Sequence, residues 1–179
     1  MALDKLPEKL LRIDDLDAVK RWPDIEARAS LSASAGNLGI IIIDYIQIVR
    51  PADGDKAHSR EREVATLAES SKRLAGALNV PVMILSQFNR GPSQDNREPQ
   101  AHDLRESSAL QHCADALWLL WRAIPKGNEP PIPPDARTIP CVLKQVKRRG
   151  GKGNTGIKLG FTGEIVTFAP LFENHEQNN

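Results

Sequence analysis

Asp44 ends a run of four isoleucines, Ile40 to Ile43, inside the segment Leu38 to Gln47. In open α/β sheets ligands collect beyond the carboxyl ends of the strands, so a carboxylate placed there can face a bound phosphate and hold its Mg²⁺, usually through water. That is the Walker B pattern. An aspartate that merely caps the turn after a buried strand would look the same, and the run alone leaves both readings open. Further along, Val80 to Ser86 runs into Gln87-Phe88-Asn89-Arg90, which brings polar groups to the same sheet edge as Asp44. Between Pro140 and Gly163 stand six basic side chains, Lys144, Lys147, Arg148, Arg149, Lys152 and Lys158, and no acidic one. Such a run is most often a solvated face.

The elements that must position these groups can be read from the patterning. The isoleucine run is too short for a membrane span and too β-branched for a comfortable helix, so it reads as a strand buried on both faces of a parallel sheet. Ser59 is a plausible N-cap for a helix with Val64, Leu67, Ala68, Ser71, Leu74, Ala75 and Leu78 on its inward face, stopped by Asn79 and Pro81. With the second apolar strand at Val80 to Ser86, this gives the order of a right-handed βαβ crossover. Asp103 to Glu106 resembles a capping box opening a short helix through Cys113, and Ala116 to Trp121 reads as a third buried strand. Thr138 to Val146, Ile157 to Phe161 and Glu164 to Phe168 read as antiparallel strands. A Gly-rich turn at Gly150 to Gly156 and a tight turn at Thr162-Gly163 join them.

The rest is less regular. Leu10 to Ile13 reads as a short strand closed at Asp14-Asp15, Asp24 to Leu31 as a helix, and Ser32 to Asn37 as a linker. Arg50 to His58 and Gly91 to Ala101 read as exposed loops, and Ala123 to Pro134, with five of the 13 prolines, as irregular chain. The expected organisation is an N-terminal segment, 1–37, before an α/β core, 38–179, whose irregular loop spans 123–137 and whose basic hairpin spans 138–168.

At 179 residues with 40% hydrophobic side chains, the chain suits one domain. Its 24 basic and 23 acidic residues leave a formal charge of +1, so any nucleic-acid site must be local. Cys113 and Cys141 form no CxxC and no disulfide framework, and Met1 to Asp17 lacks the apolar core of a signal peptide. Both facts fit a soluble, cytoplasmic protein. The four histidines are scattered without metal-ligand spacing. Trp118 and Trp121 fall on opposite faces of their strand and read as core.

Five stretches in register resemble the C-terminal part of a DnaB-type replicative DNA helicase motor: Ile-Ile-Asp-Tyr-Ile-Gln at 42–47, the segment 79–90, Asp-Leu-Arg-Glu-Ser at 103–107, Ala-Asp at 114–115 and Lys-Arg-Arg-Gly at 147–150. The resemblance implies a partial RecA-like fold: a mainly parallel sheet flanked by helices, with a C-terminal antiparallel β-hairpin extension. It also implies hexameric rings, ATP and Mg²⁺ bound at subunit interfaces, and single-stranded DNA gripped in a central channel. Asp44 becomes the Walker B carboxylate and metal ligand, and Gln87 the amide that senses the γ-phosphate or attacking water. Lys147 and Arg149 become basic fingers toward a neighbouring subunit's nucleotide, and Arg90, Arg97 and Arg105 lie near DNA. The family has Lys-Gln-Arg where this chain has Lys-Arg-Arg, so both outer charges are kept.

One motif of such a motor is missing. The phosphate-cradling Gly-x-x-x-x-Gly-Lys-Ser/Thr does not occur; the sole Gly-Lys is Gly151-Lys152, inside the C-terminal hairpin. The family's catalytic glutamate lies on the strand after that loop, and Leu10 to Asp15 resembles a segment later still than that strand. The expectation is a motor piece that binds ATP poorly by itself, hydrolyses it negligibly, and exposes sheet edges and apolar surface for another copy or partner. The competing expectation is a non-catalytic RecA-like module for single-stranded DNA or a helicase subunit.

Overall fold

The isoleucine run does form a strand, but a short one. In the computed structural model, which describes residues 11–15, 20–52, 59–104, 108–125, 132–133, 136–151 and 153–171, β1 covers Ile41–Ile43 and pairs in parallel with β2, Val82–Ile84, in the register Ile41↔Val82, Ile42↔Met83, Ile43↔Ile84. Two compact units make up the chain, Met1–Gln87 with Arg105–Cys113, and Phe88–Leu104 with Ala114–Asn179.

The first unit is α/β. Helix α1, Trp22–Ser34, carries Pro23 in its first turn, where a missing N–H costs nothing, and runs three residues into the linker expected at Ser32 to Asn37. Helix α2, Arg60–Leu78, starts where expected: the Ser59 hydroxyl accepts from the Arg62 N–H at 3.4 Å. It stops at Asn79, whose left-handed φ of 53° ends the helical path. Its buried face is Val64, Leu67, Ala68, Ser71 and Leu74 as the spacing predicts, with Ser70 in addition, whereas Ala75 and Leu78 near its end are only half-buried. Those side chains close a core with Trp22, Ala29, Ile43, Ile46, Val49 and, from helix α4 (Ser108–Cys113), Leu110. Leu11 to Ile13 carry no strand.

The expectation that β1 is covered on both faces fails. Ile43 is buried, but Ile42 is 58% exposed and its register partner Met83 53% exposed. Among the described residues β1 pairs only with β2, and the helices of the unit cover one face of that pair.

The second unit carries most of the strands, and they are antiparallel: β3, Ala116–Arg122; β4, Thr138–Arg148; β5, Thr155–Thr162; and β6, Thr167–Pro170, in the order β3-β4-β5-β6. The mainly parallel sheet is therefore corrected to a parallel pair and an antiparallel four-stranded sheet among the described residues. Only Leu119 of β3 is fully buried, and Trp118 is 46% exposed rather than core, because residues 116, 118, 120 and 122 share a face left open. β6 starts three residues later than expected, since Gly163–Ile165 turn as a 3-10 helix and Val166 takes a left-handed φ of 46°.

The stretch Gly91 to Ala101 is more ordered than its composition suggests. Helix α3, Gly91–Gln94, opens it, and Pro92 and Pro99 are buried. Asp103 does not cap a helix; it closes a 3-10 turn, Ala101–Asp103, by accepting the Gln100 N–H at 2.7 Å. Most of the loop expected at Arg50 to His58, and much of Ala123 to Pro134, lies outside the described residues.

Candidate functional site

Because β1 and β2 run parallel, the residues after them emerge at one rim. Asp44 comes directly after β1 and Gln87 three residues after β2; both are exposed. The backbone ties the two exits together: Leu85 N–H donates to Ile43 O at 2.9 Å and Ile46 N–H to Leu85 O at 3.0 Å. A side-chain tie adds to this, Gln47 Nε2 donating to Ser86 Oγ at 2.8 Å, one residue before Gln87. Arg60, at the start of α2, donates to the Gln47 carbonyl and pairs with Glu63, which fixes the helix start beside the rim. Gln47 and Ser86 were not singled out by sequence reasoning. The available signal was a lone amide in the apolar run Ile46 to Val49.

What could this rim hold? Among the described residues no three His, Cys, Asp or Glu side chains form a metal cluster. Asp44 would therefore hold Mg²⁺ by one carboxylate, with phosphate oxygens and water supplying the rest, as Mg²⁺ commonly accepts. An amide at Gln87 can both donate to a phosphate oxygen and accept from a water. The donor set thus fits the metal and terminal-phosphate end of a nucleoside triphosphate, whereas a cradle for the other phosphates is not encoded in the sequence.

The cationic candidates lie in the second unit. Lys147 is on β4 opposite Leu117, but Arg149 stands one residue beyond the strand, in the turn, so strand alternation does not extend to it. What orients Arg149 is Asp115: its N–H donates to the Asp115 carbonyl at 2.7 Å, and its Nη1 lies 3.1 Å from Asp115 Oδ1. Arg90 is exposed at the start of α3. Arg97 is engaged internally, its Nη1 and Nη2 each donating at 2.7 Å to Asp103, which is 2% exposed. These bonds from Arg97, with help from the Gln100 N–H, lower the Asp103 pKa to about 2 against the opposing effect of burial. Arg105 lies outside the described residues.

Residues 1–170 match the family model for the DnaB-like helicase C-terminal domain. The chain belongs to that family. It is 35% identical over 123 residues to the replicative DNA helicase DnaB of Geobacillus stearothermophilus, covering 68% of this chain and 27% of the relative. It is 34% identical over 149 residues to the DnaB of Leifsonia xyli, covering 83% of this chain and 31% of the relative. Among solved structures it resembles an ATPase domain with a TM-score of 0.68 at 27% identity, covering 84% of this chain and 51% of that one. It also resembles a DnaB-like replicative helicase described with its interactions with primase, with a TM-score of 0.70 at 27% identity, covering 89% of this chain and 37% of that one. The chain thus spans under a third of the two curated relatives. The solved structures that this DnaB-like domain resembles are RecA-like helicase ATPase domains, and among its described residues no helix is long and apolar enough to cross a membrane.

Proposed function

We propose that this chain supplies the C-terminal portion of a ring-shaped replicative helicase motor and works only together with the elements it lacks. In this reading Asp44 orients Mg²⁺, Gln87 reads the γ-phosphate or positions the attacking water, and Lys147 and Arg149 reach a neighbouring subunit's nucleotide. The segment carrying Arg90, Arg97 and Arg105 follows single-stranded DNA. Bound Mg²⁺ and ATP would supply the electrophilic phosphoryl group. The carboxylate and amide only position the metal and its water, and the fingers neutralise charge that develops on the phosphoryl oxygens. The observation that carries the reading is the shared rim: an acid and an amide at the carboxyl ends of adjacent parallel strands, cross-tied through Gln47 and Ser86.

The test is ATP hydrolysis measured with the chain alone and mixed with an intact DnaB relative, with and without single-stranded DNA. Negligible turnover alone is expected, as is a DNA-stimulated rate in the mixture that falls when Lys147 and Arg149 are both replaced by glutamine. Robust turnover by the pure chain, or an unchanged rate in the mixture, would overturn it. The acid-free basic run from Lys144 to Lys158 and the loop from Gly91 to Ala101 support a second reading, a non-catalytic module for single-stranded DNA or a helicase subunit. Salt-sensitive DNA binding with no effect on a relative's ATPase would support that one instead.

A further inference from the structure

The loop Phe88–Leu104 is pinned at its ends and again from within. Phe88 and Leu104 form an antiparallel bridge, and the Asn89 N–H donates to the Asp103 carbonyl at 2.7 Å. Inside, the two terminal nitrogens of Arg97 grip the two carboxylate oxygens of Asp103, and the Arg97 N–H donates to Pro92 O at 3.0 Å. Gly91 sits against this pair: a Cβ there would lie 3.1 Å from Asn89 Oδ1, 3.3 Å from Arg97 Nη2 and 3.7 Å from Asp103 Oδ1. Arg90 thus stands between Asn89, held through its N–H to Asp103, and Gly91, whose N–H donates to Asn89 Oδ1 at 2.9 Å, while its own side chain stays exposed. A two-pronged guanidinium–carboxylate bond sets angle as well as distance, which a lysine cannot do.

We propose that Arg97 and Asp103 form a positioning clamp that fixes Arg90 for contact with the phosphates of single-stranded DNA, Arg97 itself touching no phosphate. The proposal rests on the reading of this segment as a DNA contact. It reverses the sign of one mutation: Asp103→Asn removes one negative charge and frees Arg97, so a phosphate-contacting Arg97 predicts equal or tighter DNA binding. The clamp predicts weaker binding.

The experiment is binding of the full chain to fluorescently labelled oligo(dT) at low salt, measured by anisotropy, with circular dichroism confirming that each variant is folded. Asp103→Asn and the charge-conserving Arg97→Lys should each weaken binding by about fivefold or more, and the double variant by no more than either alone. In an Arg90→Gln background the same changes should have little further effect, because the clamp acts through Arg90; a merely structural defect would weaken both backgrounds alike. If Asp103→Asn fails to fold, Arg97→Lys carries the same comparison. Equal or tighter binding by the variants, or the same loss with Arg90 already replaced, overturns the clamp while leaving the DNA reading standing. No binding by the unaltered chain overturns the DNA reading, and the clamp with it.

Discussion

Gln47 reaches from the segment after β1 and donates from Nε2 to Ser86 Oγ, 2.8 Å away, while its buried Oε1 has no hydrogen-bond partner among the described residues. That asymmetry sets the expected outcome of cutting the tie from each side. Ser86→Ala strands the Gln47 amide and should cost about 1–3 kcal/mol, whereas Gln47→Met removes both the bond and an unsatisfied oxygen and should cost less. Urea midpoints of the two variants check it. A Gln47→Met variant less stable than Ser86→Ala would mean the amide makes contacts beyond this bond.

Helix α2 offers a sharper contrast. Leu67 is buried to 1% exposure against the core that supports the rim. Leu67→Ala should remove about 2–5 kcal/mol, enough to threaten a domain of ordinary stability. Leu31, 70% exposed on α1, should change stability by no more than about 0.5 kcal/mol when made alanine. Thermal unfolding of the pair separates a core governed by α2 from one spread evenly over the helices.

Sequence legibility tracked the range of the interactions. The α2 cap at Ser59, its buried stripe and its stop at Asn79 are set by neighbours three or four residues away, and all were readable. So was the parallel pairing of β1 and β2, since a strand, a helix and a strand leave few alternatives. What escaped depends on distant partners. Whether Ile42 is covered depends on what packs on the second face of β1, and a local run of isoleucines does not encode that. Asp103 looked like a helix cap because its neighbours suit one, but the six-residue reach back to Arg97 turned it into an ion-pair partner. The strand expected to end at Val146 runs on to Arg148, because Lys147 and Arg148 pair with Leu117 and Ala116 of β3.

The Arg97–Asp103 pair has a pH signature. The Asp103 pKa is lowered from 3.8 to about 2 in the fold, first by the Arg97 hydrogen bonds. A carboxylate whose folded pKa is depressed contributes stability that is present above its unfolded value and lost as pH falls through the folded one. Protection of the Gln100 amide, which donates to Asp103, should therefore hold down to about pH 4 and fall as pH approaches 2. Arg97→Gln removes the largest lowering cause and leaves burial to raise the pKa, so the loss should begin at higher pH. Hydrogen exchange at Gln100, or carboxyl NMR of Asp103, reads it. An Asp103 that titrates in the ordinary carboxylate range in the unaltered chain would contradict the pair.

The open face of the β1–β2 pair yields the last prediction. Ile42 and Met83 are register partners, 58% and 53% exposed, and Ile40 and Leu85 extend the same apolar surface. Parallel strands are normally covered on both faces, and unpaired edges with apolar side chains recruit other chains. The isolated chain should therefore self-associate with rising concentration and bind an apolar dye. Replacing Ile42 and Met83 by lysine should suppress both, since the added charges repel an incoming strand while the opposite face, with Ile43 buried, stays intact. Sedimentation velocity across a concentration series, with dye fluorescence in parallel, measures it. A monomeric, dye-silent unaltered chain at high concentration would show that the surface is satisfied within one molecule.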